Sequence, residues 1–369
     1  MQLIAPIQTL FAAVQQPVSV VDKKNTIPVL SNVLLQASEN LLKIVATNLE
    51  VGMQTSCIAE VQQPGNITVP AQKFLEILKE SPDGVSLKIE TDEKHWVHLS
   101  YVRPGKSAGG FKIAGLPDSD FPNLPKIDAT QQFEIGAEHL ALCLAKTLPC
   151  VSHDESRYAL TGLLCEVKGD VLAFVGTDGH RLSRAVTRLP KDTGIEQTVI
   201  LPAKAAMEIR KMKGAAVSLG FSENQLMAST EQTMLVSRLI EAQYPDYKQI
   251  LPQSAPITVK ANIAEWNAVL RRVALMSSDT RMIECHFNGN EATLTTKNNE
   301  GDARESFAIE KEGADISIGM NARYLMDVLQ QANEAETITM QMSDELSPAA
   351  FFTENKDEWL SIIMPMRRS

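Results

Sequence analysis

Apolar residues recur at helical spacing in six segments, 7–18, 72–80, 137–149, 203–213, 263–276 and 321–333, as in Ile7, Leu10 and Val14 or Trp266, Leu270 and Val273. Between them lie short alternating or β-branched runs, among them Leu42–Thr47, Val85–Ile89, Ala215–Phe221 and Thr337–Met342, which read as antiparallel strands. Asp83-Gly84, Gly169-Asp170 and Asn288-Gly289-Asn290 supply turn residues between such runs. Helix, strands, helix and strands follow one another three times, which predicts an α+β fold with two helices packed on antiparallel sheet in each repeat.

The repetition extends to individual residues. Ile67-Thr68-Val69-Pro70-Ala71, Val199-Ile200-Leu201-Pro202-Ala203 and, more loosely, Ile316-Ser317-Ile318-Gly319-Met320-Asn321-Ala322 each read as a strand running into a helix. About twenty residues upstream of each, a second element recurs: Thr47-Asn48-Leu49-Glu50, Thr177-Asp178-Gly179-His180 and Lys297-Asn298-Asn299. The step is 130 residues from Thr47 to Thr177 and 121 from Thr177 to Asn298, the size of a domain and far longer than a solenoid unit. Proline-rich hinges close the first two repeats, Phe121-Pro122-Asn123-Leu124-Pro125 and Tyr244-Pro245-Asp246-Tyr247 with Leu251-Pro252, where fixed φ favours extended connectors. The expected domains are therefore 1–126, 127–254 and 255–369. A length of 369 residues agrees, because it exceeds what one hydrophobic core usually supports.

Composition changes the picture in one respect. The net charge is −10, which argues against a surface that grips nucleic acid everywhere. Yet the six predicted helices carry ten basic and six acidic residues, which leaves −14 on the sheets and loops. If the helices share a face, that face attracts a phosphate backbone without reading bases; equally, Lys and Arg simply favour exposed helix positions. The N-terminal Met1-Gln2-Leu3-Ile4-Ala5-Pro6 lacks a basic leader, and no apolar run approaches the roughly 20 residues of a membrane span, so a cytoplasmic protein is expected. Five cysteines, at 57, 143, 150, 165 and 285, show no CxxC spacing and read as reduced, buried thiols.

One constellation invites an enzymatic reading. His153, Asp154, Asp178 and His180 could form a metal-dependent hydrolase site. Against it, the sequence holds no HExxH, no P-loop and no Gly-x-Ser-x-Gly elbow, and Asp178-Gly179 has an ordinary use as a turn. No cofactor, no metal and no catalytic activity are expected. His95, Trp96 and His98 lie on an alternating run and read as sheet residues, not ligands.

His153-Asp154-Glu155-Ser156-Arg157-Tyr158, Leu160-Thr161-Gly162, Thr177-Asp178-Gly179-His180-Arg181-Leu182, Tyr244-Pro245-Asp246-Tyr247 and Met364-Pro365-Met366-Arg367 together resemble the bacterial β sliding clamp family, the processivity subunit of DNA polymerase III. The resemblance implies a head-to-tail homodimeric ring of six similar domains around double-stranded DNA. It implies a partner-peptide pocket of Arg157, Leu160, Thr177, Gly179, His180, Arg181, Leu182, Pro245, Ile250, Asn321, Tyr324, Ile362, Met364, Pro365 and Met366. There the polymerase III alpha subunit, the clamp loader, other DNA polymerases and repair proteins would insert short Leu- and Phe-bearing peptides. The same resemblance, with helix position, puts Lys24, Lys146, Lys204, Arg210, Lys211 and Arg272 toward DNA, and Phe111 and Ile113 against Leu275 and Met276 of a second copy. On pattern alone those four are core residues of a strand and a helix. The sequence departs from the family at Ala159, where an aromatic is common, at Gln249, where a basic residue is common, and in its Arg368-Ser369 ending.

Overall fold

A computed structural model of the chain describes residues 1–22, 26–102, 109–124, 131–251 and 255–367. All six expected helices form: α1 Ile7–Val20, α2 Ala71–Lys79, α3 Ala137–Thr147, α4 Ala203–Ile209, α5 Ile263–Val273 and α6 Ala322–Gln331. Five end one to four residues earlier than periodicity suggests. After α3 the chain tightens into a 3₁₀ turn at Leu148–Cys150, where Pro149 offers no N–H, and after α5 into another at Ala274–Met276. Residues 210–213 leave the helix after α4. Asn262 and Asn321 cap α5 and α6, their side-chain oxygens accepting from the Glu265 N–H and from the Arg323 and Tyr324 N–H groups.

The chain folds as two compact units, Met1–Glu138 with Lys204–Leu239, and His139–Ala203 with Ile240–Ser369. The middle third of the sequence thus contributes to both. The reason is strand pairing, every ladder of which is antiparallel.

In the first unit an eight-stranded sheet runs in the order Gln131–Gly136, Ala216–Phe221, Gln225–Ser229, Thr233–Arg238, Val51–Ile58, Leu41–Thr47, Asn32–Ser38, Gly65–Pro70. Four strands from the middle of the sequence are joined to four from its beginning, with Thr233 opposite Thr55 and Ser237 opposite Val51. A five-stranded sheet ends at strand Gly110–Ala114. Helices α1 and α2 bury Leu10, Val14, Phe74 and Leu78 among Leu3, Leu35, Ile44 and Leu87.

The second unit repeats the design. Its nine-stranded sheet joins strands Arg181–Arg188 and Trp359–Ile363, with Arg181 opposite Ile363 and Ala185 opposite Trp359. A four-stranded sheet ends at strand Gly301–Ala308. Trp266 of α5 centres an aromatic core with Phe287, Phe307 and Phe351 at ring separations of 6.3, 5.6 and 6.2 Å.

The repeat is visible in hydrogen bonds as well as in sequence. Asn48, Asp178 and Asn298 each turn a hairpin in the same way, the Oδ1 atom accepting from the N–H groups two and three residues on. The second repeat places Gly179 in the left-handed region at φ 85°, and the first places Leu49 there at φ 75°. Glycine is at ease in that conformation, whereas leucine is strained.

Candidate functional site

The candidate pocket residues all belong to the second unit, and the Thr177–Arg181 hairpin organises them. The Thr177 hydroxyl donates to the Arg181 carbonyl at 2.6 Å and accepts from the Gly179 N–H at 3.1 Å, closing the turn from within. Arg157 donates from Nη1 to the Asp178 carbonyl at 2.8 Å, and a Cβ added at Gly179 would meet that guanidinium at 2.9 Å. Glycine here gives the turn its backbone angle and gives Arg157 its room.

Strand pairing then carries the C-terminal segment to the hairpin. Leu182 lies opposite Ile362, the Met364 N–H donates to the His180 carbonyl at 2.9 Å, and the Met366 N–H donates to the Gly319 carbonyl at 2.8 Å. Met364-Pro365-Met366 is thereby pinned at both ends. Beneath it Leu182 and Ile362 are buried with Leu164, Val175, Ile200 and Tyr247, flanked by Tyr244 and Leu251 of the proline-rich hinge. The Tyr244 hydroxyl donates to the Val175 carbonyl at 3.1 Å, and burial pushes its ionisation above the usual tyrosine range. In the same unit Tyr158, Ile250 and Met364 expose apolar surface. The result is an apolar ledge of flexible and branched side chains with polar backbone at its rim, suited to extended apolar anchors.

Arg181 plays a different part from its neighbours. It is only 8% exposed. Its guanidinium donates from Nε to Asp178 at 3.1 Å, from Nη2 to the Pro149 carbonyl at 2.5 Å and from Nη1 to Asp327, while the Tyr324 ring lies 4.4 Å away. Its donors thus tie the hairpin to α6. Sequence reasoning missed Asp327, whose one signal was its place three residues after Tyr324 on the same helix face. Leu160 is buried, Pro245 is exposed on the hinge, and Asn321 serves as the cap of α6.

Of the residues expected to face DNA, Lys24 lies outside the described residues. Lys204 donates to the Val20 carbonyl and pairs with Asp22, Lys211 pairs with the buried Glu208 at 2.8 Å, and Arg272 makes a two-pronged pair with Glu305. Lys146 lies over the Trp359 ring at 5.4 Å. Arg210 is exposed, with no ion-pair partner among the described residues.

The four interface residues are not uniformly core. Ile113 is buried, but Phe111 is 43% exposed and Leu275 80% exposed, while Met276 is half-buried. Phe111 lies on the open edge strand Gly110–Ala114, and Leu275 lies in the 3₁₀ turn that follows α5.

The alternative hydrolase site gains no support. Both Asp178 oxygens are engaged by its own hairpin, and Asp154 accepts from Ser156. Among the described residues no group of three or more His, Cys, Asp or Glu could hold a metal ion. Nor is any described helix long and apolar enough to cross a membrane.

Family models for the N-terminal, central and C-terminal domains of the DNA polymerase III beta subunit match residues 1–125, 134–246 and 248–367. The chain is 31% identical over 366 residues to the beta sliding clamp of Vibrio cholerae, with 97% of each chain covered, and 28% identical over 365 residues to that of Escherichia coli. Its fold matches a crystal structure of the sliding clamp from Pseudomonas aeruginosa, bound to griselimycin, with a TM-score of 0.92 at 28% identity over 100% of both chains. With its thrice-repeated hairpin and matching strand order, the chain belongs to the family of bacterial beta sliding clamps, the beta subunit of DNA polymerase III.

Proposed function

We propose that two copies of this chain close head to tail into a ring that encircles duplex DNA and tethers the replicative polymerase and other factors in the cytoplasm. The observation that carries the reading is a pattern used twice and left open once. A strand of the first repeat pairs with a strand of the second, and a strand of the second with a strand of the third. The same two positions, strands Gly301–Ala308 of the third repeat and Gly110–Ala114 of the first, stand at sheet edges. Pairing between copies would complete the series, three domains at 1–126, 127–254 and 255–369 from each. Phe111, Ile113, Leu275 and Met276 border those edges and would be covered by closure.

Within such a ring, binding to DNA is topological. The six observed helices carry seven basic against five acidic residues, and phosphate contacts through Lys24, Lys146, Lys204, Arg210, Lys211 and Arg272 would be weak, sequence-independent and salt-sensitive. That suits sliding. The apolar ledge at Leu182, Ile362 and Met364 would receive the Leu and Phe side chains of short peptides from the polymerase III alpha subunit, the clamp loader and repair proteins. Arg181 would hold its hairpin against α6 from below.

The test loads the protein onto a nicked circular duplex. Retention at 0.5 M salt, lost when the circle is linearised, is the expected result (salt chosen well above roughly 0.15 M, where surface charges are already screened); loss at high salt from the intact circle would refute enclosure. Deleting residues 364–369 should abolish capture of a Leu/Phe-bearing peptide while circular dichroism and melting stay close to wild type. Unchanged affinity would overturn the assignment of the ledge.

A further inference from the structure

The two junctions inside the chain fix the register of the one between chains. Three residues before α3 stands Glu134, and the ladder from it runs through Ser218, Ser229 and Met234 to Gln54. Three residues before α5 stands Lys260, whose ladder runs through Thr339 to Phe352; extending the register of Phe351 opposite Ser361 by one residue leads on to Leu360, which lies opposite Arg184. Three residues before α1 stands Ile4, whose ladder passes Lys88 and Ser100 and stops at Gly110, on the open edge. On the other side, the hairpin alignment through Asn48, Asp178 and Asn298 makes Arg304 the counterpart of Gln54 and Arg184. Gly110 therefore meets Arg304.

The rest of the register follows by counting. Phe111 falls opposite Ala303, Lys112 opposite Asp302 and Ile113 opposite Gly301. The apolar pairs fall on the face that holds Ile113 in its core and Met276, whose Cε lies 3.2 Å from where a Cβ on Gly301 would sit. The charged pair falls on the opposite, solvent face, because alternate residues of a strand point to opposite faces. Lys112 and Asp302 are both exposed, and neither has an ion pair with a described residue. Lys112 lies over the Trp96 ring at 4.7 Å. In their own sheets Lys112 stands opposite His98, and Asp302 opposite Lys297. Closure would set Asp302 between two lysines.

Resting on the ring reading above, we infer that a Lys112–Asp302 ion pair, formed twice in each dimer, is the charge lock that selects this register between copies. Opposite charges directly across an antiparallel pair attract, like charges repel, and a one-residue slip would turn the apolar pair at Phe111 to the wrong face.

The full-length protein tests this by its dimer dissociation constant. Lys112→Asp or Asp302→Lys alone should weaken the dimer by about 10-fold, and the double swap should return it to within about 3-fold of wild type, as expected of two cross-strand charge pairs. The single-variant defect should shrink as salt screens the charges. A wild-type protein that is monomeric would sink the ring itself. A wild-type dimer with single variants unchanged, or a swap that fails to rescue, would overturn the register and leave the ring standing. Carbodiimide coupling of the unmodified protein supplies the second measurement: covalent dimers should contain a Lys112–Asp302 linked peptide, and its absence would count as refutation.

Discussion

Leu182 opposite Ile362 and Asp302 on an open edge occupy the same position in the repeat, yet they have opposite chemistry. The internal pair is fully buried, under the Tyr244 and Leu251 side of the hinge. Its counterpart in the first unit, Gly52 opposite Val236, is covered by Leu124, whose Cδ2 atom occupies the space a Cβ on Gly52 would need. A junction formed within one chain is never exposed to water as a separate edge, so it tolerates an apolar row. An edge that faces solvent does not. Charge on edge strands also blocks unspecific pairing with other sheets. The same fold thus seals two internal seams with apolar surface and keeps a charged residue, Asp302, at the equivalent position of the open edge.

Exchanging the chemistry of the two kinds of seam is the severest way to break this comparison. Ile362→Asp would bury an unpaired carboxylate opposite Leu182 and remove a branched side chain from a packed floor. We expect a loss of about 4 kcal/mol of stability in denaturant melting, enough to unfold the second unit's sheet at ordinary temperatures. Asp302→Leu should change the melting of the unassociated chain by less than about 0.5 kcal/mol, since the residue is exposed. Comparable losses at both positions would show that the internal and open seams do not differ as argued.

At the open seam, replacing Leu275 and Met276 together by Glu should raise the dimer dissociation constant by about 100-fold or more, because closure would bury charges with no partner. Light scattering reads the outcome directly. Dimers of wild-type affinity would exclude these residues from the interface. Because Leu275 is solvent-exposed, the fold of each chain should survive the change.

Much of this was legible in the residues. Helical periodicity gave all six helices, and the recurring Asx hairpins gave the threefold order, because both depend on local chemistry. Helix ends were misjudged where a proline or a tightening turn intervened at Leu148–Cys150 and Ala274–Met276. Sequence could not show that the middle repeat contributes strands to two units, since Val51 and Ser237 meet across 186 residues. Nor could it show that Arg181, grouped with ledge residues by its motif, is buried against Asp327 and the Pro149 carbonyl. On pattern alone Leu275 reads as core, yet it is exposed, because periodicity marks apolar positions without saying which of them are buried.

The smallest expected effect lies on the helix side of the first unit's seam, where charge is retained but tied down. Lys204 reaches from α4 to the last carbonyl of α1, Val20, and to Asp22, which also accepts from Asn48 at 3.1 Å. Partial burial pushes the Asp22 carboxyl up, but the hydrogen bonds from Lys204 and Asn48 and the lysine's charge outweigh it and hold the carboxyl below its ordinary value. A depressed carboxyl contributes stability that is complete above its unfolded value, near 3.9, and is lost as pH falls through the folded one. Asp22→Asn should therefore cost less than about 1 kcal/mol at pH 7, given the exposure of the pair, and its difference from wild type should narrow as pH drops below about 4. A pH-independent difference would mean that packing, not charge, holds Lys204 in place. If charge does hold it, the variant frees Lys204, and the salt dependence of equilibrium binding to short linear duplex should steepen slightly, by up to one added phosphate contact.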